Sequence, residues 1–153
     1  MIYLIALLAG ANLTLSALTG SPVQSTAWTW TLYEGDGPVV LANEVPDTPQ
    51  LRTTFECTPG SGVARVSVYG GTLSAGFASV TSGIGPSAAQ AQSKAEASRD
   101  GKLSLAVRTD HPVFSQFVAT GDLAVAVGDQ RQTVIVEPTH LAKLRRFADL
   151  CSG

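Results

Sequence analysis

The chain has little charge, few residues able to do covalent or metal chemistry, and no long apolar run. Charged side chains make up 14% of its 153 residues, well below the roughly 25% of an average soluble domain. The net charge of −2 supplies no electrostatic footprint for nucleic acid or an anionic membrane surface. Gly60-Ser61-Gly62 and Gly83-Ile84-Gly85 are the nearest approach to a phosphate loop. Neither has the Lys or the third Gly that phosphate binding requires. A Gly-x-Ser-x-Gly nucleophile elbow is also missing. The opening apolar run, Ile2 to Ala9, falls short of the about 20 residues that cross a bilayer. With two cysteines and two histidines in the sequence, a zinc cluster has few ligands to draw on. No cofactor or metal is expected.

What is present points to export and to β-structure. The uncharged start looks like the apolar core of a signal peptide, with small-residue cleavage sites at Ala9-Gly10-Ala11 and Ser25-Thr26-Ala27. It departs from that pattern in having no Lys or Arg ahead of the apolar run. The competing reading is a first strand, since Leu13, Leu15 and Ala17 alternate with Thr14 and Ser16. Residues 1–27 are therefore assigned to a signal peptide or an N-terminal strand, and 28–153 to one β-rich domain.

From Trp28 the period is two. Trp28, Trp30 and Leu32 alternate with Thr29, Thr31 and Tyr33, and Val39–Ala42 returns after the Gly35–Pro38 turn. The prolines of Glu44–Pro49 forbid a central strand there. Leu51, Thr53, Phe55 and Cys57 then face one way, as do Ala64, Val66 and Val68, and the alternation is read onward through Leu73, Ala75 and Phe77. Residues 82–101, rich in Ala, Ser, Gln and Gly, read as a mobile loop, with a helical turn or two possible over Ala88–Ala97. Strands resume at Lys102–Arg108, Leu123–Val127 and Thr133–Val136.

Two helices are expected. One runs near 111–120, with Asp110 as its cap, Pro112 in its first turn and Gly121 at its end. The other runs near 139–151, opened by Thr139 and carrying Leu141, Leu144, Phe147 or Ala148, and Cys151 on one stripe. Lys143, Arg145 and Arg146 read as cations complementing the end of that helix. The fold expected is mainly β: an antiparallel sandwich or curved sheet with these two helices.

Cys151 lies on the apolar stripe of the last helix and Cys57 on the apolar face of the clearest strand. Both thus reach a common core, and in an oxidising compartment a bond between them persists. Closing a loop of 151 − 57 = 94 residues stabilises by about 4–5 kcal/mol in the chain-entropy model.

The run Leu51–Cys57 followed by Val66–Tyr69, then Phe114–Gly121, Leu123–Val127 and a helix ending in Cys151, resembles small, mostly uncharacterised periplasmic proteins of Gram-negative bacteria. Those tie a strand cysteine to a C-terminal helix cysteine. The resemblance implies an envelope location, periplasmic or extracellular, and a β-rich fold. It carries over no catalytic residue.

Candidate functional residues are sparse. Asp110 and His111 beside a helix start are the candidates for a metal or acid–base site, although short polar residues there commonly cap backbone N–H groups. Glu34 with Asp36, and Glu44 with Asp47, sit in turns, where Asp often bonds its own backbone. Trp28, Trp30 and Tyr33 are possible ligand-contact aromatics for carbohydrate or peptide, weighed against a place in the core. The resulting expectation is an exported, non-enzymatic envelope binding or accessory domain whose partner is an envelope protein or glycan. The alternatives are a self-assembling structural subunit and a small envelope hydrolase using Asp110 and His111.

Overall fold

The computed structural model describes residues 27–153; the N-terminal segment read as signal peptide or strand lies, apart from Ala27, outside the described residues. Among the described residues nine strands form: β1 (Thr29–Tyr33), β2 (Val39–Glu44), β3 (Leu51–Cys57), β4 (Val63–Tyr69), β5 (Gly76–Ser82), β6 (Ala89–Ala97), β7 (Lys102–Arg108), β8 (Asp122–Val127) and β9 (Gln130–Ile135). Two helices complete the fold, α1 (Pro112–Thr120) and α2 (Leu141–Cys151). The strands lie in the order β1-β2-β3-β4-β7-β6-β5-β8-β9, antiparallel at every step. The expected curved antiparallel sheet is thus the observed one, curled into a half-barrel.

Period-two patterning explains why the sheet curls around a core. Trp30, Leu41, Phe55 and Val66 from the first four strands face inward and are buried, as are Val80, Leu105, Val125 and Val134. The helices fill the concave side: α1 packs on β5 and β6, α2 on β1 and β2, and the two touch each other. At the centre stands the Phe55 ring, 5.0 Å from Phe117 of α1, 5.9 Å from Trp30 and 6.2 Å from Phe147 of α2. The expected cross-link is present: Cys57 is bonded to Cys151 across a Cα separation of 5.8 Å. It fastens the last turn of α2 to the end of β3. Two backbone bonds reinforce it, Gly60 N–H to the Leu150 carbonyl and Gly62 N–H to the Cys151 carbonyl, each 2.9 Å.

Several local expectations are corrected. The segment read as a mobile loop holds a 3-10 turn, Gly85–Ser87, and then the nine-residue strand β6. Its sequence alternates Ala89, Ala91, Ser93 and Ala95 with Gln90, Gln92, Lys94 and Glu96, the first set partly or fully buried and the second exposed. The inward side chains are small because α1 lies over them. Phe77 was placed inward, yet it is 80% exposed while Ala78 and Val80 are buried; Leu73 precedes β5, so the strand begins later and in the other phase. His111, not Asp110, caps α1: its Nδ1 accepts from the Val113 N–H at 3.1 Å. Thr139 lies inside a 3-10 turn, Pro138–His140, and α2 starts after His140.

Gly121 ends α1 as expected, in the left-handed region at φ 82°. A Cβ there would sit 2.2 Å from the Val136 carbonyl oxygen. Glycine is required on both counts. The basic residues of α2 do not gather at its C-terminus. Lys143 donates to the Trp30 carbonyl and Arg146 pairs with Glu34 through two 3.2 Å bonds. Both tie α2 to β1 and the residue that follows it.

Candidate ligand cleft

Curling brings the two edge strands, β1 and β9, toward each other although they are about a hundred residues apart in sequence. They meet through one bond: the inward Trp30 indole Nε1 donates to the Ile135 carbonyl at 3.1 Å. On one side of this pin the half-barrel opens into a cleft of about 610 Å³. Its floor comes from inward register positions that turn polar at the strand ends. Asn43 lies across from both Trp30 and Thr53, and Asn43 and Thr53 are 8% and 4% exposed. The Asn43 side-chain amide donates to the Thr29 carbonyl at 3.4 Å.

The walls add aromatic and charged groups. Trp28 lines the cleft with the Arg52 guanidinium stacked 3.9 Å above its ring. That position restrains the guanidinium against the ring face, and its N–H groups keep donor capacity. Tyr69 stands nearby with the Lys102 ammonium 5.9 Å from its ring. On the opposite side run Gln132, Thr133, Val134 and Ile135, followed by Glu137. Gln132 reaches over the β4–β5 connection, where a Cβ on Gly71 would come within 2.3 Å of its Oε1. The Gln132 amide thus lies directly against the Gly71 backbone.

The aromatics singled out from sequence divide three ways. Trp30 is core, at 1% exposure, and also closes the seam. Trp28 belongs to the cleft. Tyr33 lies on the other face of β1, where its hydroxyl donates to Glu44. That hydrogen bond, with some burial and the Glu44 charge, raises the phenol above its ordinary pKa.

Asp110 and His111 have separate duties. The Asp110 carboxylate is gripped by Arg108, with Nε at 2.8 Å. The hydrogen bond and charge of Arg108 hold this carboxyl below its ordinary pKa. His111 uses Nδ1 as a helix cap. The depression beside Asp110, about 360 Å³, is lined by Ser61, Thr109 and Ser152 but not by His111. Of the carboxylates expected in turns, Glu34 meets Arg146, Glu44 instead ends β2 and meets Tyr33, and Asp47 adopts φ 61°, a turn geometry that Asp tolerates. Among the described residues no group of three His, Cys, Asp or Glu is placed to hold a metal ion.

Sequence reasoning did not find Asn43, Arg52, Thr53, Gln132 or Glu137. A signal existed for three of them. Asn43 follows Val39 and Leu41 on one face of β2, Thr53 precedes Phe55 and Cys57 on β3, and Gln132 precedes Val134 on β9. Each is a polar residue at an inward position. The chain matches no protein-family model, no curated protein and no solved structure, so a functional reading rests on this geometry.

Proposed function

We propose that the chain is an exported, non-enzymatic binding domain of the cell envelope, with the cleft between β1 and β9 as its ligand site. The observation that carries this reading is the cleft's set of groups: a buried amide and hydroxyl on the floor, a stacked guanidinium and indole on one wall, and a second amide opposite. Such a mix of apolar surface with a few convergent polar groups is how small sites hold a ligand in one orientation. The Cys57–Cys151 bond supports an oxidising compartment. No described helix is long and apolar enough to cross a membrane. The resemblance to periplasmic proteins, resting on the strand cysteine and the helix cysteine, supports the same location. The rival hydrolase reading finds Asp110 paired with Arg108 and His111 capping α1, and so lacks a joined acid–base pair.

Expression of the full chain in a Gram-negative host, followed by fractionation, is expected to place the oxidised protein in the envelope. Panels of peptides and glycans screened against it should yield a ligand. Arg52→Ala and Asn43→Ala should each weaken that ligand by about tenfold or more, equivalent to about 1.4 kcal/mol, with circular dichroism unchanged. A reduced cytoplasmic protein, or a ligand indifferent to both substitutions, overturns the reading.

A further inference from the structure

Four consecutive residues of β9, Gln132 to Ile135, line the cleft. Alternate residues of a strand share a face, so a consecutive run lining one wall means that the strand's edge is the wall. The direction of its backbone groups follows from two bonds. Val136 N–H donates to the Gly121 carbonyl at 2.8 Å, on the β8 side. The Ile135 carbonyl instead accepts from Trp30, on the seam side. Antiparallel ladders alternate in this way, and the β8–β9 register runs without interruption from Asp122↔Ile135 to Val127↔Gln130. Val134, Gln132 and Gln130 therefore bond β8, while Arg131 and Thr133 point N–H and C=O toward the seam.

At the Ile135 end the seam is closed by Trp30. At the Thr133 and Arg131 end it is open, and these two residues present alternate backbone sites about 6.6 Å apart, the repeat of an extended peptide. The charges near them include three cations. Arg52 lines the cleft, Lys102 lies over Tyr69 in the adjoining depression, and Arg131 is on the edge itself, in an outer depression that it shares with Asp122; among the described residues no ion pair holds any of the three. Among the described residues Glu137 is the one carboxylate lining the cleft.

We infer that the ligand of this cleft is an acidic peptide segment in extended conformation, added as a strand to the free edge of β9 through the backbone of Thr133 and Arg131, with an acidic side chain toward Arg52. This rests on the cleft being the ligand site. It differs from recognition by side chains alone, since strand addition draws affinity from main-chain hydrogen bonds.

The test uses a synthetic library of end-blocked heptapeptides with Glu or Asp fixed at alternate positions, a matched Lys library, and a glycan array, each probed with the full oxidised chain. Thr133→Pro removes one seam-facing N–H and leaves the β8 ladder intact, as proline is tolerated on edge strands. Acidic peptides are expected to bind, to lose at least about tenfold with T133P, and to slow hydrogen exchange at the Thr133 and Arg131 amides of the unsubstituted protein. The exchange readout stands even if T133P misfolds. Acidic peptides that bind without protecting those amides overturn strand addition, as does a preference for the Lys library. Glycans that bind alone, in a manner sensitive to Arg52→Ala, overturn it while sparing the cleft. No binding from any of the three probes overturns both.

Discussion

Phe55→Ala is expected to lower the unfolding free energy by about 3–5 kcal/mol, the usual cost of emptying an aromatic site in a core. Three observations place it at the upper part of that range. Phe55 is fully buried, and its ring contacts Trp30, Phe117 and Phe147, which come from β1, α1 and α2. Those elements cannot all move inward to refill the space. Trp30 is fixed at Ile135 and α2 is fixed by the disulfide. Urea denaturation followed by tryptophan fluorescence reads the loss. A change below about 1 kcal/mol, typical of a site that collapses or of a surface residue, contradicts the arrangement of the core.

Cys151→Ser is expected to cost about 2–5 kcal/mol. The substitution releases a 94-residue loop in the unfolded chain and leaves a hydroxyl at a position with no exposure in the folded one. The effect is local at first. The end of α2 keeps the bonds from Gly60 and Gly62 and its own Ser152 cap, while β1 keeps its full pairing with β2. Amide exchange should therefore accelerate in α2 well before β1. Uniform acceleration along the chain, or an unfolding curve equal to that of the oxidised parent, runs against this account.

Much of this architecture was legible because large apolar residues carried the period. In β3, Phe55 and Cys57 alternate with Glu56, and in α2 Leu144, Phe147 and Cys151 mark one stripe; their shared burial made the disulfide a consequence of patterning. The strand β6 was missed for the opposite reason. Its alternation of Ala and Ser with Gln, Lys and Glu is regular, but the contrast in hydrophobicity is slight, and good helix formers such as Ala and Gln pull the reading elsewhere. Tertiary context decided it, because α1 needs small residues beneath it. Phe77 shows the complementary failure, a large apolar residue that the phase of β5 turns outward.

The cleft was harder to see than the fold. Asn43, Thr53 and Gln132 are polar residues at inward positions on three strands, and nothing local says that these strand ends share a mouth. That information lies in the curl of the sheet, which brings β9 within one hydrogen bond of β1. Trp28 stands out in sequence as an aromatic residue, whereas its partner Arg52 reads as an ordinary outward charge on β3.

The most direct test of the binding role is a titration of the isotope-labelled, oxidised protein with the tightest ligand from the peptide and glycan panels, followed by nuclear magnetic resonance. The expected result is a set of shift changes confined to the Trp28 indole, Arg52, the Asn43 amide and the backbone of Gln132 to Ile135. Shift changes centred instead on Asp110 and His111, or on the exposed Phe77 and Ile84, would contradict the cleft as the site.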